Sequence, residues 1–240
     1  MSPSAPPDAR PLYAKVRERL VERIRSGVWK PGQLIPSEFE IAAEFGVSQG
    51  TARKAISALA AERLVMRQQG RGTFVVEHTP AHVLFRFFNM FDAAGELIIP
   101  DSRRTRGTVG PADSVEETAL QLAPGAEVIR IERVRTRAGI PFICETIRLP
   151  QELFPDLAQM QELPNTLYDL FQKTYGILLV RTEDRLSATV ADAGTAGVLN
   201  LSPGTPLLRI DRTAFGLDDR PIEWRVSLCH LQGAHYLART

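Results

Sequence analysis

Cysteine, histidine and lysine are all scarce in this chain of 240 residues, and each scarcity removes a class of chemistry. Two cysteines, Cys144 and Cys229, make neither a disulfide framework nor a thiolate metal site. Four histidines (His78, His82, His230, His235) show no HExxH spacing, so no metal and no other cofactor is expected. Beyond residue 81 the sole lysine is Lys173, with no glycine-rich phosphate loop near it, which excludes an aminotransferase-like second half. No apolar run approaches the roughly 18 residues that a membrane span needs. The tail Met1–Arg10 is rich in proline and serine, lacks the apolar core of a signal peptide and is expected to be disordered. These absences describe a reduced, cytoplasmic chain with no membrane partner.

What is present divides unevenly. Residues 1–80 hold 12 basic against 8 acidic side chains, a net +4, while residues 81–240 hold 17 against 20, a net −3. The basic excess sits on the shorter segment. In that segment Leu12, Val16, Leu20 and Ile24 recur every fourth position after Pro11, which predicts a helix ending at Gly27. Ser37-Glu38-Phe39-Glu40 is a capping box for a short second helix carrying Ile41, Ala42 and Phe45 and stopping at Gly46. Ser48 then caps a third helix with Ala52, Ile56, Leu59 and Ala60 on one face. Residues 64–76 change to strand alternation around a glycine-rich tip, Gly70-Arg71-Gly72. Three helices followed by a hairpin is the order of a winged helix-turn-helix, a DNA-reading unit.

The residues sharpen this. PSEFEIAAEFGVSQGTARKAISALAAERLV followed by RQQGRGTFV resembles the DNA-binding domain of the GntR family of bacterial transcriptional regulators, over about Leu12 to Val76. The resemblance implies contacts to DNA from Ser37, Ser48, Gln49, Gly50, Thr51, Arg53, Lys54, Gly70, Arg71, Gly72 and Thr73. Helix N-termini at Ser37 and Ser48 offer free amides to phosphates, and the first turns of the third helix enter the major groove. The glycines let the wing approach closely, and Arg71 charges its tip. The bland alternative is that the serines only cap and Arg53 is a solvated charge. Phe39 and Gln49-Gly50 stand where the family usually carries arginine, so an operator unlike the common one is expected, with Gln49 suited to an adenine.

After a linker at 77–82, strand-like runs at 128–136, 141–149, 177–190, 206–215 and 221–228 alternate with helical candidates Ser114–Leu122, Leu167–Tyr175 and Asp192–Leu199. The pattern predicts an α+β domain over 83–240 with a mainly antiparallel sheet. RVRTRAGIPFICETIRLP, NTLYDLFQKTYGI and GTPLLRIDRTAFGLDDRPIEW resemble the UTRA effector-binding domain of the HutC-type GntR subfamily, which has a chorismate-lyase-like fold. The chain end, CHLQGAHYLART, departs from the aromatic-rich closing strand of that domain.

Alternation alone puts Ile129, Ile131, Arg133 and Arg135 on one face of a strand, and Ile143, Glu145, Ile147 and Leu149 on one face of the next. A three-residue loop Arg137-Ala138-Gly139 would pair Arg133 with Ile143 and set Glu145 diagonally beside Arg133. Two readings stay open: a structural ion pair, or a cavity for a small anionic or zwitterionic metabolite. The resemblance favours the cavity, lined by Arg133, Arg135 and Glu145, with Arg212 and Glu223 at later family positions that are equally structural or ligand-binding. Thr166 is expected to cap Leu167–Tyr175, with Asp169 completing a capping box, and to offer amides to an anion. Arg103-Arg104-Thr105-Arg106 is expected to be a solvated loop, Phe85, Phe87, Phe88 and Phe91 core or dimer contacts, and Cys144 a filler.

The expectation is a homodimeric repressor on palindromic half-sites about one helical turn apart, hinged at the linker and tuned by an effector. No catalytic residue is assigned. The alternatives are a chorismate-lyase-like enzyme and a DNA-binding protein that senses nothing.

Overall fold

A computed structural model describes residues 10–77, 88–160 and 162–238, with the backbone alone at 103–106. The proline-rich tail before Arg10, the linker beyond Glu77 and the side chains of Phe85 and Phe87 lie outside the described residues. The chain forms two compact units, one through Glu77 and one from His78 onward. Among the described residues no helix is long and apolar enough to cross a membrane.

In the first unit, α1 (Leu12–Arg25) buries Val16, Leu20 and Ile24, the stripe set by four-residue spacing. Helix α2 (Glu38–Phe45) starts at a true capping box. The Ser37 backbone N–H donates to the Glu40 carboxylate at 2.8 Å, and the Glu40 N–H donates to Ser37 Oγ at 3.3 Å. Gly46, at φ 60°, ends it. Helix α3 (Gln49–Ala61) begins at Ser48, whose Oγ accepts the Thr51 N–H at 3.2 Å, and it buries Ala52, Ala55, Ile56 and Leu59. The wing is β1 (Val65–Gln68) paired antiparallel with β2 (Gly72–Val75). A third segment joins it, because the Gly32 and Ile35 amides donate to Val75 and Thr73 carbonyls.

The second unit is built on a six-stranded antiparallel sheet. Its strands are β4 (Asp101–Pro111), β5 (Glu127–Arg137), β6 (Ile140–Pro150), β7 (Arg181–Val190), β8 (Pro206–Phe215) and β9 (Pro221–Cys229), in spatial order β4-β5-β6-β9-β8-β7. Two short strands, β3 (Met90–Asp92) and β10 (Ala234–Tyr236), pair separately. Helices α4 (Ser114–Leu120), α5 (Leu167–Tyr175) and α6 (Ala193–Leu199) complete it. One face of the sheet packs Ile129, Ile131, Ile147 and Leu149 against Phe171 of α5 and against Phe154. The other face gathers Cys144, Leu207 and Leu228 with Leu199 of α6, so Cys144 is a filler there.

Four expectations are corrected. The β5–β6 connection is a two-residue loop, Ala138-Gly139, with both residues at positive φ (49° and 79°), the requirement of a type I′ turn. That loop by itself would send Arg133 and Glu145 to opposite faces. A bulge between Arg135 and Thr136 in the pairing inserts Phe142 on β6 and restores the phase, so Arg133 stands directly opposite Glu145 rather than diagonal to it. Second, the Arg103–Arg106 run is part of edge strand β4 and not a loop. Third, β7 starts at Arg181, because Leu178 and Leu179 leave the strand and enter the core. Fourth, Thr166 makes no side-chain cap bond, and Asp169 pairs forward with Lys173 at 2.9 Å.

At the wing, Gly72 has φ +112°, and an added Cβ would lie 2.5 Å from Leu34 Cδ1. Gly72→Ala is expected to destabilise the first unit by about 1–3 kcal/mol, nearly all of it backbone strain because the Leu34 end can move. Urea unfolding followed on buried Trp29 checks this, and an unshifted midpoint would show that the strain is not there.

Candidate functional site

In the first unit the caps bring the expected DNA-contacting residues toward the start of α3. Gln49 and Gly50 are exposed in its first turn, and Thr51 Oγ1 lies 2.9 Å from Ser48 Oγ. Arg53 is 64% exposed, and its Nε donates to Glu38 at 2.8 Å. Lys54 turns toward α1, its ammonium 4.2 Å from the centroid of the Tyr13 ring. Gly70 and Arg71 are exposed at the wing tip, with Gly72 and Thr73 opening β2. The sequence reading missed Arg67, whose Nη2 donates to Glu38 at 3.2 Å and to Ser57 Oγ at 3.1 Å. Glu38 therefore ties α2 to both α3 and the wing. Alternation on the short β1 strand gave no sign of it.

In the second unit, strand register assembles charge on the face that α5 covers. Glu145 pairs with Arg133 on one side and Ser227 on the other, and Ser227 in turn pairs with Ile210. The adjoining row runs Ile147, Arg225, Arg212, Asp184. Glu145 Oε1 accepts from Arg133 Nε at 3.1 Å and from Arg135 Nε, while Oε2 accepts from Arg225 Nη1 at 3.1 Å. Arg225 also forks onto Glu223 at 3.0 and 2.8 Å, and Arg212 forks onto Asp184 at 2.7 and 2.6 Å. Tyr168 on α5 donates its hydroxyl to Glu223 at 2.9 Å.

A small cavity, open to solvent on one side, lies against this cluster. Arg135, Glu145, Arg212 and Arg225 supply its charged wall, with Ser227 and Tyr236 beside them. Arg133, Thr166 and Glu223 are buried but do not line it. Arg133 instead holds the segment before α5, with Nη1 donating to the Asn165 carbonyl at 3.3 Å. Asn165 Oδ1 accepts from Arg135 Nη1 at 2.9 Å, and among the described residues nothing accepts from Arg135 Nη2.

Comparison with known proteins decides the family. The UTRA domain model matches residues 100–233, and the model for bacterial regulatory proteins of the gntR family matches residues 12–75. The chain belongs to the GntR family, in its UTRA-containing, HutC-type branch. It is 31% identical over 225 residues to the "Probable fructoselysine utilization operon transcriptional repressor" of Escherichia coli (strain K12), covering 91% of this chain and 90% of that one. It is 32% identical over 208 residues to the HTH-type transcriptional repressor NagR of Bacillus subtilis (strain 168), covering 85% and 84%. The crystal structure of PhnF from Mycobacterium smegmatis matches with a TM-score of 0.57 at 27% identity, covering 94% of this chain and 98% of that one.

The charges of this GntR-family cluster are unequally compensated. Burial would push the Glu145 carboxyl up, but Arg133, Arg135 and Arg225 outweigh it and hold it well below the usual carboxylate range. Burial and the neighbouring Arg135 pull Arg133 down to about 9, so it remains a cation at neutral pH. Burial lowers Arg135 too. Arg225 and Arg212 move the other way, since Glu223 and Asp184 more than offset their burial. Three arginines thus share Glu145, and of these Arg225 alone has a second carboxylate, Glu223, while Arg212 has Asp184. Burial also pushes the Cys144 thiol up to about 11 and Cys229 higher still, which leaves both unreactive as nucleophiles at neutral pH.

The sequence reading named Glu223 but not Arg225 or Ser227. The signal was available, because Glu223, Arg225 and Ser227 alternate on one face of β9. Asn165 lay in a loop with no periodicity to reveal it.

Glu145→Gln is expected to cost about 3–5 kcal/mol, because it leaves buried arginines without their counter-charge. The depressed folded-state value of Glu145 fixes the pH window. Its contribution is fully present above the ordinary value of 4.5 and is lost as pH falls through and below it. Urea unfolding on Trp224 fluorescence between pH 7 and pH 3 measures both effects. An equal midpoint for wild type and variant at pH 7 would remove Glu145 as the keystone of the cluster.

Proposed function

We propose that this chain is a transcriptional repressor that binds a palindromic operator as a homodimer and is tuned by a small anionic or zwitterionic metabolite. The observation that carries the effector part is the shared carboxylate. Among the described residues Glu145 is the only carboxylate that bonds Arg133 or Arg135, it is shared with Arg225, and Arg135 lines the cavity with a donor to spare. Buried positive charge without full compensation is stabilised by an anion, and a carboxylate or phosphate fits a guanidinium edge. Arg135 is the anchor in this reading, Glu145, Arg212 and Arg225 shape the wall, and Arg133 and Thr166 support it from outside the lining. Glu223 acts through Arg225.

The DNA part rests on capped α2 and α3, the exposed Gln49 and Gly50, and the cationic Arg53, Lys54 and Arg71. The phosphate contacts would come from the helix N-termini at Ser37 and Ser48 and from the wing at Gly70–Thr73. An enzyme reading finds less support. Every carboxylate of the cluster is bound to arginine, and no described residue pairs a nucleophile with a base there.

Two measurements test this. Fluorescence anisotropy with DNA from upstream of the gene, across a salt series with competitor DNA, is expected to show competitor-resistant binding. Its log affinity should fall with log salt by about 0.9 per phosphate contacted. Binding abolished by competitor would overturn the operator claim. A thermal-shift panel of sugar phosphates, carboxylic acids, amino acids and fructoselysine is expected to give a stabilising ligand that Arg135→Ala binds at least about tenfold more weakly, the loss of one charge-assisted contact. Unchanged affinity in that variant would remove Arg135 from the site.

A further inference from the structure

Phe39 is 72% exposed, more than any other of the large hydrophobic side chains described. It takes no part in the core of its unit, since the buried positions of α2 are Ile41 and Ala42. The ring is thus part of the surface of its unit, at the first turn of α2.

Its direction follows from helix geometry. At about 100° per residue, Phe39 lies about 140° round α2 from Glu44 and about 100° from Glu38. Glu44 bonds Arg23 of α1 at 3.0 Å, and Glu38 bonds Arg53 of α3 and Arg67 of β1. The ring is therefore turned away from α1, on the α3 side of the exposed face. Arg53 and Arg67, both held by Glu38, keep 64% and 49% exposure on that side of the unit. The complementary surface combines anions with a small apolar group. The major groove does so, with phosphates on its rims and the thymine 5-methyl group on its floor.

We propose that Phe39 reads thymine, by apolar contact between its ring and the 5-methyl group in the major groove. This rests on the DNA-binding reading above and names the base chemistry of that interface.

The test uses the full chain. Duplexes are selected from a randomised pool with the wild-type protein, and each thymine of the best duplex is replaced in turn by deoxyuridine, which removes only the methyl group. Anisotropy then compares wild type with Phe39→Ala, which keeps the core intact. One thymine is expected whose replacement weakens wild-type binding about fourfold, the fold-change for burying one methyl group, and leaves Phe39→Ala unaffected. Indifference of the wild type at every thymine, or the same penalty in Phe39→Ala, overturns the assignment while leaving the operator reading intact. If no duplex is retained against competitor DNA, the operator reading fails and the assignment falls with it.

Discussion

One buried carboxylate organises the second unit. Glu145 is 1% exposed at its side chain and sits among Arg133, Arg135 and Arg225, which come from the two strands that flank its own. Removing so many charges from water is costly, and only close pairing with good geometry offsets it. That requirement fixes the β5–β6 register. A slip of one residue would turn Cys144 toward the arginines and drive the carboxylate among Leu199, Leu207 and Leu228. The Phe142 bulge is the local price of a tight two-residue turn that still delivers Glu145 to the correct face.

The first unit uses a related device in a more exposed setting. Glu38 gathers Arg53 of the third helix and Arg67 of the wing, so a carboxylate near the start of α2 presets the cations of two other elements. Exposed ion pairs of this kind contribute little stability, about 0–1 kcal/mol each. Their consequence is geometric: the guanidinium groups are held near one surface before any partner arrives. The two units thus share a logic in which acidic side chains position arginines, buried in one and exposed in the other.

Much of this was legible in the sequence, and the reasons are physical. The α1 stripe, the caps at Ser37 and Ser48, and the bounds of α5 depend on contacts within a few residues, which spacing records directly. The shared face of Arg133, Arg135 and Glu145 followed from strand alternation, although the loop length was wrong and the bulge unforeseen. The wrong loop and the missed bulge offset each other in phase, because each shifts the pairing by one residue. Strand β4 escaped because DSRRTRGTVGP carries no apolar alternation, as suits an edge strand. Thr166 misled because its hydroxyl precedes a helix at the usual position, yet its backbone, at φ −111° and ψ 105°, provides no side-chain cap bond. Asn165 and Arg67 act through tertiary contacts that no local pattern encodes.

If a metabolite in the arginine-walled cavity tunes operator binding, the two binding events are coupled. Calorimetric titration of the most stabilising acid from the ligand panel, into free protein and into protein saturated with operator, tests this coupling directly. Linkage requires that operator change the affinity for that acid by the same factor by which the acid changes the affinity for operator, with about 1–3 kcal/mol of coupling typical of such systems. The expected result is weaker binding of the acid to the operator complex by that factor; equal affinities in the two titrations would show that cavity and operator are not coupled.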